Sequence, residues 1–326
     1  MMNVKGVTTP VQEVKGLVFD IQGFSVHDGP GCRSLVFLSS CPLRCGWCSN
    51  PEGQELRQRV MYKTSKCKYF ERNCRRCVSA CPDDAIVETG ENEQPVTFNI
   101  SKCEKCDTFD CAKACIYESL SLSGKWMTVR ELMDIIRRDM KFWGDGGGVT
   151  FTGGEPFMQR DFLFEVLKAC KAEAIHCSIE TSAYVDTEVL LNALQYVDVV
   201  FLDIKHMGAE MHLDKTGVKN SLVLKNIRAL AFSDWPGLLV IRIPIIEGYN
   251  DTDENITATA LFLKEINLDI VNILPFHRMG DSKYKQLGLT YKYSEQAATS
   301  EEKMKHIQKI FLKHDIGCFI GSNTPF

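Results

Sequence analysis

Residues 41–48 read CPLRCGWC, three cysteines in a CxxxCxxC spacing. Thiolates this close together can ligate one metal centre, yet a structural zinc site or a closed iron–sulfur cluster takes four protein ligands. Cys41, Cys45 and Cys48 supply three and stop. A four-iron cluster held by three cysteines keeps one iron without a protein ligand, and that iron can chelate a small molecule. The shortfall is itself a chemical signal, that of a redox centre with a reaction site on it.

The chain has fifteen cysteines, eleven of them between Cys41 and Cys115. In a reducing compartment such grouping argues for metal or redox centres and against a disulfide scaffold. Cys32, Cys170, Cys177 and Cys318 are scattered, and the last three fit the role of small buried hydrophobes. Residues 59–120 hold the rest: Cys67, then CRRCVSACP from Cys74, then CEKCDTFDCAKAC from Cys103. Two such units resemble a ferredoxin pair, in which three cysteines of one unit are completed by the fourth of the other. The resemblance assigns Cys67, Cys74, Cys77 and Cys115 to one cluster, and Cys103, Cys106, Cys111 and Cys81 to a second. The wide gap after Cys67 and the four-residue gap before Cys111 lengthen loops without removing a ligand. A pair of zinc sites is the alternative; Pro82 and the crossed spacing favour iron and sulfide.

Elements must carry these ligands. A short apolar strand, GLVFDI, a glycine-rich turn, HDGPG, and a second apolar run, SLVFLSSC, lead directly into the CxxxCxxC loop. A strand that delivers a ligand loop at its C-terminal end is how α/β barrels build active sites. From residue 128 helices and strands alternate. Thr128 and Glu131 form a capping-box pattern ahead of Val129, Leu132, Met133, Ile136, Met140 and Trp143 at helical spacing. Strands are expected at VTFT, IHCSIET, VDVVFLDIK, LLVIRIPII and DIVNILPFH, with helices near 159–172, 186–196, 218–232, 252–266 and 297–313. This alternation implies a parallel sheet, here an α/β, partial (β/α)6 barrel. The expected division is a barrel start over 1–58, a ferredoxin-like insert over 59–120 and the rest of the barrel over 121–326. Glu155, Glu180, Thr181, Asp203, Lys205, Arg242 and His277 all fall at or just past the C-terminal ends of apolar runs, the rim where such barrels place chemistry.

CxxxCxxC with Trp47 before its last cysteine resembles the radical S-adenosylmethionine (SAM) superfamily. That resemblance implies a [4Fe–4S] cluster whose open iron takes the amino and carboxylate groups of S-adenosylmethionine. Reduction of the cluster then releases methionine and a 5′-deoxyadenosyl radical. It implies further that Gly153, Gly154 and Glu155 of GGEP lie by the methionine amino group, and that Trp47 contacts the adenine. Asp203, Ile204 and Lys205 of LDIK and Arg242 would surround the methionine carboxylate, His277 would reach the nucleoside, and Ser49 joins this cofactor-binding set. Glu180, Thr181 and Asp203 match positions that hold a monovalent cation in some relatives, with Glu180 in place of an aspartate.

Within the superfamily, FSVHDGPGCRSLVFLSSCPLRCGWCSNPE resembles the activating enzymes of glycyl radical enzymes. The substrate so implied is a partner protein, from one glycine of which a hydrogen atom is removed. DIKHM at 203–207, SDWPG at 233–237 and the ending IGCFIGSNTPF are similar to the branch that activates arylacetate decarboxylases. The expected cofactors are three [4Fe–4S] clusters, S-adenosylmethionine and a monovalent cation; the expected electron donor is a ferredoxin or flavodoxin. Competing readings are the activase of a diol dehydratase or choline lyase, a radical SAM enzyme acting on a small molecule, a ferredoxin-type electron carrier, and a zinc-binding interaction protein. The net charge of −4 offers no general basic field for nucleic acid, and no apolar run approaches a membrane span. The first residues, MMNVKGVTTPVQEVKG, lack the apolar core of a signal peptide, so a cytoplasmic location is expected.

Overall fold

The computed structural model describes residues 13–324. Most of the N-terminal stretch read for a signal peptide, and the last two residues of the IGCFIGSNTPF ending, lie outside the described residues.

Strand β1 (Lys15–Ser25) turns back through HDGPG into β2 (Arg33–Leu38) as an antiparallel pair. The chain then leaves the sheet for the cysteine-rich segment, with β3 (Val60–Tyr62), β4 (Ile86–Glu88), β5 (Val96–Phe98) and β6 (Leu120–Leu122). It returns through β7 (Lys125–Thr128), antiparallel to β1. Six strands follow, alternating with helices: β8 (Gly148–Gly153), β9 (His176–Thr181), β10 (Val199–Asp203), β11 (Leu238–Ile245), β12 (Ile270–Pro275) and β13 (Gly317–Ile320). The main sheet runs β13-β12-β11-β10-β9-β8-β2-β1-β7, and every pairing from β2 through β13 is parallel. The parallel run thus has one strand more than the expected six. β13 was hidden because it has four residues and only Cys318 of them is buried, too little for a period-2 signal.

Alternation along the strands separates two environments. Val149 and Phe151, Cys177 and Ile179, Val200 and Leu202, Ile241 and Ile243, and Val271 and Ile273 join the main core beneath the helices. Their intervening neighbours Thr150, Ser178, Arg242 and Asn272 are polar and equally buried, while Val199, Phe201 and Val240 form a small apolar cluster of their own, so the barrel interior is mixed rather than a continuation of the main core. The helix Arg160–Ala172 shows the outer logic: Phe162, Leu163, Val166, Leu167 and Cys170 form one buried stripe. Cys170, Cys177 and Cys318 are all in this core, away from the grouped cysteines.

The Thr128 capping box forms as the sequence indicates, with Glu131 N donating to Thr128 Oγ1 and Thr128 N to Glu131 Oε2. The apolar stripe after it ends earlier than expected. The helix stops at Asp139, a 3-10 turn takes over at Met140–Phe142, and Met140 lies exposed while Trp143 is buried with its Nε1 donating to Ser34 Oγ at 3.1 Å. A tighter turn breaks the 3.6-residue period on which the reading relied. Outside the cysteine-rich segment, the helices Ala209–Thr216 and Asp281–Gln286 were not anticipated.

The cysteine-rich segment is built differently. β3 pairs with β6 and β4 with β5, its helices are four or five residues long, and its buried apolar residues are few: Tyr62, Tyr69, Ile86, Val96 and Leu120 beside Cys111. Cys67, Cys77, Cys81 and Cys115 pack against this small cluster.

Candidate active site

The CxxxCxxC loop is pinned from three sides. At the GGEP end of β8, Gly154 N donates to Leu38 O at 2.8 Å and Glu155 N to Ser40 O at 2.7 Å. Ser40 N and Cys41 N in turn donate to Gly53 O and Gln54 O past the turn Pro51–Gly53. The two glycines serve this contact. Gly153 sits at φ 120° with Leu38 backbone atoms 2.5 Å from where a Cβ would lie, and a Cβ on Gly154 would overlap the carbonyl oxygens of Ser40 and Gly53. On the far side, Arg44 N donates to Thr216 O at 2.7 Å and Gly46 N to Lys215 O at 3.2 Å. Those carbonyls belong to the last turn of the helix Ala209–Thr216, which has no intrahelical donors left to satisfy them.

The three thiols sense one another. Burial pushes Cys41 up to about 12, with Glu155, Cys45 and Cys48 adding to it; burial likewise pushes Cys45 to about 12, against the pull of Lys205. Cys48 is raised by burial and eased by the Asn50 N–H, which donates to its Sγ at 3.4 Å. Neutral thiols of this kind ionise when a metal supplies the positive charge, so the loop is built to trade three protons for cationic iron. Lys205 stands beside them. Burial opposes its charge, but Asp203 at 2.6 Å and the nearby Cys45 outweigh burial and hold it above its ordinary value.

Glu155 is fully buried, and its carboxylate faces the end of β9: it accepts from Thr181 Oγ1 at 2.8 Å, Ser182 N at 2.8 Å, Ser182 Oγ at 2.5 Å and Phe157 N at 3.4 Å. Desolvation raises its pKa against those hydrogen bonds. It braces two strand ends. Arg242 is not at a strand end, as the sequence reading placed it, but in the middle of β11, level with Asp203. Its guanidinium lies 3.8 Å over the Phe201 ring, pairs with Glu180 and with Asp28 (3.4 Å), and donates to His27 O at 2.7 Å. Burial and Asp28 push Glu180 up to about 7 against the pull of Arg242 and Thr152.

The HDGPG turn therefore closes the chamber from below. Thr150 Oγ1 donates to Asp28 O, and the fully buried Arg33 donates to Thr150 Oγ1, Val149 O and Pro30 O. Burial lowers Arg33 to about 10, with Cys177, Asp198 and Asp28 resisting.

Glu180 pairs with Arg242, Thr181 Oγ1 donates to Glu155, and Asp203 pairs with Lys205. His277 lies exposed beyond β12, outside this network, and Ile204 is buried with its N–H on Arg242 O. Ser49 backs the cluster loop against Gly280. Trp47 packs against Tyr249 with ring centroids 4.9 Å apart and the planes tilted by 41°, Tyr293 stands edge-on to Trp47, and the His206 ring lies 5.2 Å from Tyr249. Tyr249, Tyr293 and His206 were missed by sequence reasoning because they sit in loops with no period. For His206 and Tyr249 the one signal was position just after the strands LDIK and IRIPII, where rim residues belong; Tyr293, beyond the helix Asp281–Gln286, had none.

In the cysteine-rich segment, Cys77 senses Cys115, Cys67 and Cys74, while Cys111 senses Cys81, Cys106 and Cys103. Burial first, then these neighbours, pushes Cys77 to about 11 and Cys111 to about 12. A cavity of about 50 Å³ is lined by Cys81, Cys103, Cys106 and Cys111 together with Arg57 and Leu287 of the barrel. Among the described residues no three His, Cys, Asp or Glu side chains are arranged around a single ion. A four-iron cluster places its thiolates on separate irons and does not need that convergence.

The chain was compared with known proteins. A sequence profile for the radical SAM superfamily matches residues 108–260, beginning within the cysteine-rich segment and leaving the CxxxCxxC loop outside. The 4-hydroxyphenylacetate decarboxylase activating enzyme of Clostridium scatologenes is 48% identical over 96% of this chain and 99% of its own length. The indoleacetate decarboxylase activating enzyme of Tractidigestivibacter scatoligenes is 38% identical over 95% and 98%. Among solved structures, Streptococcus suis SuiB bound to precursor peptide SuiA superposes on 88% of this chain and 48% of that one, with a TM-score of 0.53 at 12% identity, a likeness of fold alone. The fold is that of a radical SAM barrel. The chain belongs to the radical SAM enzymes that activate glycyl radical enzymes, a family that uses a [4Fe–4S] cluster and S-adenosylmethionine.

The loop fits that cofactor. It presents three soft, half-buried cysteines with a lysine beside them, and the adjoining Tyr249, which senses Cys45, has a buried hydroxyl with no hydrogen-bond partner. Among the described residues no helix is long and apolar enough to cross a membrane.

Proposed function

We propose that this chain installs a glycyl radical in a partner decarboxylase of the arylacetate, 4-hydroxyphenylacetate type. The observation that carries the reading is the loop with exactly three thiols locked at the β2 rim beside Lys205, in a chain similar along its whole length to activating enzymes of such decarboxylases.

Cys41, Cys45 and Cys48 would hold a four-iron cluster, which together with S-adenosylmethionine would supply one-electron reductive cleavage and a radical able to remove a hydrogen atom. The chain's own residues set the conditions. Gly153 and Gly154 hold the loop at fixed height through backbone contacts, and Glu155 ties β8 to β9 beneath it. The Lys205–Asp203 pair keeps a fixed positive charge beside the thiolates. Trp47, with Tyr249 packed against it, offers an aromatic surface suited to a nucleobase. Arg33, Arg242, Asp28 and Glu180 close the floor, so that a substrate segment enters from the rim. A glycine-bearing loop suits this chamber because it brings no side chain.

We assign residues 59–120 as a ferredoxin-like insert with two further [4Fe–4S] clusters, one on Cys67, Cys74, Cys77 and Cys115, the other on Cys81, Cys103, Cys106 and Cys111. Their role is to pass electrons from an external ferredoxin or flavodoxin to the rim cluster, in a cytoplasmic setting. The mutual sensing within each quartet supports the assignment.

The test is anaerobic. The chain is reconstituted with iron and sulfide, reduced, and mixed with S-adenosylmethionine and a purified arylacetate decarboxylase. 5′-Deoxyadenosine together with a glycyl radical signal on the decarboxylase is expected. Nucleoside without that signal would reject the partner, and no nucleoside from fully loaded protein would reject the activity.

A further inference from the structure

The two cysteine quartets of the insert differ in the donors that surround their sulfurs. In the quartet of Cys81, Cys103, Cys106 and Cys111, Ala85 N donates to Cys81 Sγ at 3.2 Å, and Thr108 Oγ1 lies 3.7 Å from Cys106 Sγ. In the other, Leu120 N donates to Cys115 Sγ at 3.3 Å. Leu120 is paired across the β3–β6 ladder with Tyr62, so one register position brings a second candidate donor to the same quartet.

Tyr62 is 7% exposed and stands edge-on to Phe98, with ring centroids 5.5 Å apart. It packs in the small core that Cys67, Cys77 and Cys115 adjoin. Phenylalanine would pack as well. The hydroxyl is the anomaly: it is buried and makes no hydrogen bond, which an interior normally forbids. A phenol keeps its proton at neutral pH, and Cys67 and Cys77 are among the cysteines packed against this small core. It is a fixed donor without an oxygen or nitrogen acceptor, set beside a sulfur.

We propose that Tyr62 donates its hydroxyl hydrogen to Cys67 Sγ when that thiolate binds iron, and so raises the reduction potential of the Cys67/Cys74/Cys77/Cys115 cluster. The inference rests on the two-cluster reading of the insert. One-electron reduction adds negative charge that spreads over the sulfurs, and a hydrogen bond to a ligating sulfur stabilises the reduced form. No proton is transferred, and Tyr62 acts as a positioning residue for charge.

The test is a redox titration of the reconstituted full-length chain followed by electron paramagnetic resonance, comparing wild type with Tyr62→Phe, and using Cys74→Ala to identify which signal belongs to this cluster. Tyr62→Phe keeps the ring and its Phe98 contact. The expected result is full iron content and a lower midpoint for that one signal, about tenfold in the reduced-to-oxidised ratio, or ~59 mV for one electron. Wild-type protein should also show a solvent-deuterium shift of an iron–thiolate stretch in resonance Raman, absent from Tyr62→Phe. Unchanged midpoints with full iron would overturn the proposal while leaving the two-cluster reading intact. Loss of this cluster's iron in Tyr62→Phe would make the hydroxyl structural and overturn it too. A wild-type chain holding only about four irons would remove the two-cluster reading, and the proposal with it.

Discussion

The barrel and the cysteine-rich segment both bring cysteines together, by opposite means. In the barrel the ligand loop is an appendage on a large hydrocarbon core, in which Leu163, Val166, Leu167, Ile227 and Phe311 are wholly buried. In the insert the cysteines are themselves much of the core, packed with a handful of apolar residues and short helices. A segment with so little apolar burial is at the size and composition where metals supply the missing stability. On the proposed two-cluster reading, one region positions its cofactor and the other depends on it.

The largest expected effect tests that dependence. Removing iron with a chelator should abolish hydrogen-exchange protection of residues 60–122 while β8 to β13 stay protected; mass spectrometry of exchanged peptides checks both. If the two regions lose protection together, the comparison fails. Next, Cys45→Ala should reduce S-adenosylmethionine cleavage to background and lower iron by about four atoms of about twelve, leaving the insert folded. Nucleoside assay and iron analysis read the two halves of that statement. Gly154→Ala sharpens the account of the barrel loop. A methyl group forced against the Ser40 and Gly53 carbonyls should cost ~1–3 kcal/mol in thermal or denaturant unfolding and displace the loop, so rim-cluster iron should fall while insert iron does not. Leu167→Ala, in the outer core, should cost ~2–5 kcal/mol without altering any cluster's spectrum.

The smallest effect concerns pH. Glu180 is raised from 4.5 to about 7, so between those values the folded chain holds a proton that the unfolded chain has released. That contribution to stability is present at low pH and is lost as pH rises through about 7. Wild type should therefore lose stability relative to Glu180→Gln across this window, measured by denaturant titration at a series of pH values. A constant difference would mean that Arg242 keeps Glu180 ionised throughout.

Much of this was legible in the sequence because it was local. The Thr128 capping box, the strands from VTFT to DIVNILPFH and the grouping of the cysteines all depend on residues close together in the chain. What failed also failed for local reasons: β13 is too short to show a period, Met140 follows a change of helix type, and Ala209–Thr216 lacks a strong apolar stripe. Glu155, Glu180, Thr181 and Asp203 stand at or just past strand ends as their spacing suggests, and Arg242 does not; the orientation of these side chains was not legible. Glu155 turns to β9, Arg242 reaches down to Asp28 and His27, and His277 stays in solvent.

The sequence by itself determined the number and spacing of thiols, the strand-and-helix alternation, and the family to which both belong. Only the tertiary structure decided which groups face the thiols and which seal the floor. Sheet order and register bring Arg44 to the Thr216 carbonyl, Arg242 to His27 and Tyr62 to the Leu120 rung. Those meetings join segments far apart in the chain, and no local pattern of residue types encodes the distance between them.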